Sequence, residues 1–286
     1  MRWPLWLGSL ALLVGCCFSS QALAFERAKT KDGKEVFWPR TTGSAVIKYT
    51  IHQEGLGDYF KSNPNLGAVG SEFAAVKNAF LLWSTLTCTD GRPVGLRAQF
   101  QGLLPAAQAK VGYDPNCASC NSNLVVFIRD RNLWRHNDLV LSKTTLNFND
   151  TTGEIVDADI EINATGKFAF STQIQNPENI KWDILNIMSH EVGRFLGLDT
   201  STDPKATMAA KSSVGDLSLI SLEKDDVEGI CTIYPPNNNA ASVPLYQESE
   251  AGRDLGCSSV EGPQPSLALT LFFLFSLLFL VRRKRA

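Results

Sequence analysis

Apolar and polar positions alternate, cluster and recur along this chain with enough regularity to predict its main elements. "AVIKYTI" (45–51) reads as a strand. In "SEFAAVKNAFLLWSTL" (71–86) Phe73, Val76, Phe80 and Trp83 recur at helical spacing, which predicts a long amphipathic helix packed on a sheet. "GLRAQF" alternates as a short strand, "SNLVVFIRD" reads as a buried one, and "DLVLSKTTLNF" (138–148) as a further strand ended by the turn "NDTTGE". In "EIVDADIEIN" Val156, Ala158, Ile160 and Ile162 point one way and Asp157, Asp159 and Glu161 the other, which predicts a half-buried strand with a solvated polar face.

The next segment, "WDILNIMSHEVGRFLGLD", carries its own start and stop signals. Asp183 is placed to cap a helix. Ile184, Ile187, Met188, Val192, Phe195 and Leu196 form a core-facing stripe, and Gly197 stands where a left-handed stop is expected. "SLEKDDVEGICTIYPP" starts another helix, expected to end near Gly229, and "PPNNNAASVP" reads as linker. No internal repeat is present. Strands early and the key helix late predict a mixed α+β domain.

The two ends predict export and anchoring. Arg2, the apolar "WLGSLALLVGCC" and the small-residue site "QALA" make residues 1–24 a signal peptide, cleaved after Ala24. "LVGC" offers a second reading, in which Cys16 becomes a lipidated first residue. At the other end Cys257 and two prolines precede the sixteen apolar residues "SLALTLFFLFSLLFLV" and then "RRKR". That run is near the lower limit for a membrane span, and its cations place its end on the cytoplasmic side. A cysteine motif, a short apolar span and a basic tail resemble the myxobacterial C-terminal sorting tag (257–286). The resemblance implies processing that leaves the protein at the cell surface or released. Residues 25–236 are thus expected to be one domain, and 237–256 a linker.

Charge and cysteines fit that picture. Without Arg2, Glu261 and the four tail cations, 22 basic and 28 acidic residues remain, about −6, which argues against nucleic acid as a partner. Cys88, Cys117, Cys120 and Cys231 are an even set for an oxidising compartment and predict two disulfides, with three connectivities open. A zinc ribbon built on "CASC" is the other reading, but no second pair stands at ligand spacing.

The candidate chemistry lies in "SHEVGRFLGLDTS" (189–201). Two His at i and i+4 on a helix can bind one zinc, with the intervening Glu activating water, and a Gly-permitted turn can deliver a third His. Here His190, Glu191 and Gly197 match that pattern, whereas the second and third ligand positions hold Arg194 and Thr200. Arg194 has no lone pair and stays charged. Thr200 is a poor zinc ligand, Asp199 stands one residue away from the ligand position, and His52 and His136 read as ordinary histidines. An i,i+3 pair between Glu191 and Arg194 is expected instead.

Around this stretch, "VGYDP", "TGEIVDADIEIN", "WDILNIMSHE", the "ATM" holding Met208, and "LEKDDVEGICTIYPP" are similar to bacterial matrixin-like proteins, a branch of the metzincin zinc proteases. The resemblance covers most of residues 34–236. It implies a twisted mixed sheet with a long packing helix, a site helix and a closing helix. It implies His190 as first zinc ligand, Glu191 as general base and Met208 as the Met-turn residue. The strand at 138–148 becomes the edge on which an extended peptide lies antiparallel. No ligand set is recognised for the family's calcium and structural-zinc sites. The expected protein is therefore a monomeric, surface-anchored pseudoprotease that binds peptide or protein. An active zinc metalloendopeptidase using His190 with Asp199 or a distant His, and a purely structural envelope protein, are the competing readings.

Overall fold

The computed structural model describes residues 24–41, 43–117, 120–173, 181–210 and 213–236. The expected signal peptide (1–24) apart from Ala24, the expected linker and the expected C-terminal tag lie outside the described residues, and among the described residues no helix is long and apolar enough to cross a membrane. Five strands form one sheet: β1 (Ala45–His52), β2 (Leu96–Leu104), β3 (Leu124–Ile128), β4 (Ser142–Phe148) and β5 (Ile155–Asn163). Their order is β2-β1-β3-β5-β4. All neighbours are parallel except β4 and β5, which form the antiparallel pair that puts β4 at the edge. A short α1 (Tyr59–Ser62) and the long α2 (Ser71–Ser84) make the crossover from β1 to β2. Two-residue strands β6 (Phe170–Ser171) and β7 (Trp182–Asp183) lead into α3 (Ile184–Phe195), and α4 (Lys224–Ile233) closes the described domain. This mixed α+β architecture is the one the sequence pattern predicts.

The main core lies between the sheet and the pair α2–α3. Ile47, Tyr49 and Ile51 point inward from β1, and Val76, Phe80 and Trp83 meet them from α2, while Phe73 is only half-buried. Tyr49 stacks on Phe80, and Phe80 meets Phe195 edge-on at 5.3 Å between ring centroids. The predicted stripe of α3 is buried along its whole length. Helix α4 runs four residues beyond the expected stop at Gly229. Gly229 marks close packing there, because a Cβ would stand 2.9 Å from Leu198 and 3.0 Å from Phe25. The strand expected over 138–148 begins only at Ser142, since Asn137 starts a turn and accepts the Leu139 amide on its side chain.

The N-terminal strap, Ala24 to Trp38, ties the late elements together. Its Ala28 amide donates to Gly197 O, its Glu26 carbonyl accepts from Asp199 N, and Phe37 bonds Gly153 and Ile155. Asp225 of α4 accepts from the amides of Ala24 and Phe25 at 3.0 and 2.8 Å. The four body cysteines pair as Cys88–Cys231 and Cys117–Cys120, which settles the connectivity left open above.

The polar side of β5 departs from expectation. Asp157, Asp159 and Glu161 are 1, 1 and 4% exposed, so the face read as solvated is buried. The connections on either side of β3 fold over this second face, and Trp134 packs on Leu124, Val126 and Ile128 of that strand. Asp159 accepts from the amides of Gly112 and Leu124, and Glu161 meets His136 Nε2 at 2.9 Å. Val156, expected to point inward, is instead exposed near the start of the strand.

Burial, opposed by these amide donors, pushes the Asp159 carboxyl up to about 7. In the unfolded chain it ionises near its ordinary 3.8. A raised acid pKa favours folding at low pH, so this group's stabilisation is full below about 4 and is lost as pH rises to about 7. The full swing is about 4 kcal/mol. Asp157, also raised by burial, acts in the same direction. Urea midpoints measured from pH 4.5 to 8 should fall with pH, and Asp159→Asn should flatten that slope. A slope unchanged in the variant would count against the assignment.

Candidate functional site

Helix α3 is held rigidly enough to present side chains with fixed geometry. Asp183 caps it, accepting the Asn186 amide at 2.8 Å, as the sequence predicts. Two indoles grip its carbonyls: Trp83 Nε1 donates to Ser189 O and Trp38 Nε1 to Phe195 O, each at 2.8 Å. At its C-terminal end Gly197 adopts φ +97°, where a Cβ would also meet the strap carbonyl of Val36 at 2.9 Å. Glycine is thus required twice over.

That turn brings the three ligand positions of the zinc-binding pattern together. Arg194 Nε donates to His190 Nε2 at 3.2 Å, and Arg194 Nη2 donates to Thr200 Oγ1 at 2.7 Å. Arg194 Nη1 meets Asp199 Oδ1 at 3.2 Å, and the same carboxylate oxygen accepts the Thr200 amide at 2.7 Å. Since His190 Nε2 accepts from Arg194, the ring proton sits on Nδ1, 2.8 Å from Thr207 O. A metal-ligating imidazole has the same tautomer and the same backbone brace. Here a guanidinium N–H takes the lone pair that a metal would use.

Glu191 is placed differently from expectation. It is 6% exposed, and it turns to the edge strand, where Ser142 Oγ donates to Oε1 at 2.6 Å and Thr144 Oγ1 donates to Oε2. The expected Glu191–Arg194 pair is not made. Arg194 finds acceptors beyond the helix end, and the two β4 hydroxyls satisfy the carboxylate. Met208 lies under the helix, so close that a Cβ on Gly193 would sit 2.2 Å from its sulfur. Its position is fixed by the fully buried Asp226, which accepts from the amides of Thr207, Met208 and Glu223.

Four contributors were not visible in the pattern alone: Ser142, Thr144, Asp199 as the arginine's partner, and Asp226. A signal for the first two exists in the alternate hydroxyls of "SKTT" on an edge strand, and for the last in the "DD" that opens α4. His52 and His136 stay away from the site; His136 is engaged with Glu161.

A catalytic zinc needs about three protein ligands and an open position for water. The residues here do not fit it. His190 is one donor whose lone pair is capped, Arg194 is a cation, Thr200 is neutral, and the Asp199 carboxylate holds the arginine. Among the described residues no group of three His, Cys, Asp or Glu side chains is gathered for a metal ion.

The family model described as matrixin matches residues 138–235. That span runs from the edge strand β4 through the site helix, the Met208 turn and the closing helix α4. With the five-stranded mixed sheet behind it, this match supports a matrixin-like metzincin family for the span that carries the site.

Proposed function

We propose that this is an exported, surface-anchored matrixin-fold pseudoprotease, whose cleft binds an extended peptide or protein segment without cutting it. The observation that carries this reading is the Arg194 Nε bond to His190 Nε2. It places a fixed positive charge where a zinc ion would stand and engages the single imidazole available. Without a metal, nothing in the cleft acidifies water or polarises a peptide carbonyl. The Asp199 carboxylate, invoked by the alternative of an active enzyme with a non-standard ligand set, is engaged by the same arginine. Peptide binding is supported by β4, the edge strand, whose outer side has no strand partner among the described residues. An unpaired edge offers a ladder of backbone donors and acceptors to an added strand.

The test has two arms. Metal analysis of purified protein should find no stoichiometric zinc, and a peptide library should show no chelator-sensitive cleavage. Panning a random-peptide display library should enrich binders that slow amide exchange over residues 142–148. One tight zinc with chelator-sensitive cleavage would sink the pseudoprotease reading, and protection only elsewhere would sink the edge-strand reading.

Replacing Arg194 by alanine tests what the side chain does for the fold. Three hydrogen bonds are lost at a partly exposed site, so urea denaturation should show a loss of about 1 kcal/mol. Activity should not appear, because two ligand positions stay empty. A variant as stable as the parent would mean that the cluster contributes nothing to the cleft.

A further inference from the structure

The two disulfides differ in what they hold. Cys88–Cys231 joins residues 143 apart, and it pins the turn after α2 to α4, with Cys88 only 5% exposed. Cys117–Cys120 spans a separation of three, and both of its cysteines are half-buried. The segment around the second pair is already closed without it. Asn121 Oδ1 accepts the Asp114 amide at 2.8 Å, and Asn121 Nδ2 donates to Asp114 O at 2.9 Å. Outside that bracket, Asp159 accepts from Gly112 N and Leu124 N, so one buried carboxylate holds both ends of the segment to β5. Breaking the Cys117–Cys120 bond therefore leaves the backbone clamped at two levels. The chain-entropy effect of a cross-link grows with the loop it closes, so this ring adds far less to the fold than the long one does.

A cross-link that the fold does not need, at a partly accessible position, is suited to chemistry. We propose that Cys117–Cys120 is a thiol–disulfide exchange site that takes a dithiol as its reductant. One thiolate of the dithiol attacks one of the two sulfurs. The Sγ–Sγ bond breaks, and its electron pair leaves on the other cysteine, which takes up a proton. The second sulfur of the dithiol, giving up its proton, then attacks the mixed disulfide and displaces the first cysteine as a thiol. Two electrons pass to the protein, and the dithiol becomes a disulfide.

The experiment is a native redox titration of the full exported chain with reduced and oxidised dithiothreitol, followed by alkylation and peptide mapping. Cys117 and Cys120 should become alkylated together, at a reduced-to-oxidised ratio roughly 100-fold below that needed for Cys88 and Cys231. Far-ultraviolet circular dichroism should not change at that first step, and oxidised dithiol should reverse it. The double variant Cys117→Ser/Cys120→Ser should fold and lose the first step while keeping the second. The proposal is overturned if all four cysteines open in one transition with loss of the fold. It is equally overturned if Cys117 and Cys120 resist reduction until Cys88–Cys231 has gone, or if the serine variant does not fold.

Discussion

Arg194→His combined with Thr200→His is expected to give a protein that holds one zinc per chain. The backbone for such a site is already in place. Gly197 at φ +97° brings position 200 within 2.7 Å of the position 194 side chain, and position 194 within 3.2 Å of His190. The His190 tautomer is set by Thr207 O, and Met208 packs beneath the helix at Gly193. Two imidazoles added to this frame complete the three-ligand set. Calorimetric titration should give a dissociation constant of roughly 1 μM or tighter, a standard binding free energy of about −8 kcal/mol. Hydrolysis should return more slowly than binding, because Glu191 stays hydrogen-bonded to Ser142 and Thr144. A double variant that folds and binds no zinc would show that the three positions do not converge as described.

Removing the long disulfide should destabilise the fold strongly. Cys88→Ala with Cys231→Ala releases a loop closed over a separation of 143 residues. In the chain-entropy model such a cross-link stabilises by about 5 kcal/mol, against about 2 for a four-residue ring. That is a large share of the ~5–15 kcal/mol that holds an ordinary domain together. Chemical denaturation of the double-alanine protein should show it, with the midpoint falling far more than for the matching change at Cys117 and Cys120. Equal losses in the two variants would contradict the assignment of roles.

The elements that the sequence discloses are those whose signals are local. Helix α3 is legible because Asp183, the apolar stripe and Gly197 all act within eighteen residues and agree. The misreadings arise where a distant segment intervenes. Asp157, Asp159 and Glu161 alternate as a solvated face would, and only the folded β3–β4 connection, with Trp134 and His136, reveals that they are covered. Glu191 and Arg194 stand at pairing distance on one helix, but hydroxyls 49 and 47 residues away satisfy the carboxylate first. Gly229 resembles a helix stop, yet it is small because Phe25, far away in sequence, presses on it. At the site itself the sequence shows which ligands are missing. It does not show that the substitutes bond to one another.

The strap gives the domain an order in time. Phe25 bonds to Asp225 across 200 residues, and Phe37 waits for Gly153 and Ile155. A ribosome delivers the strap first and its final partner almost last, so the earliest segment of the domain has to remain undocked through most of synthesis. Contacts of such long range also slow folding, because their loop-closure entropy must be met before they contribute. The β4–β5 hairpin and α3 can assemble from neighbouring sequence in the meantime, with the late strands exposed. Docking of the strap on Gly197 and Asp199 therefore joins the first described segment of the domain to the turn that carries the arginine cluster.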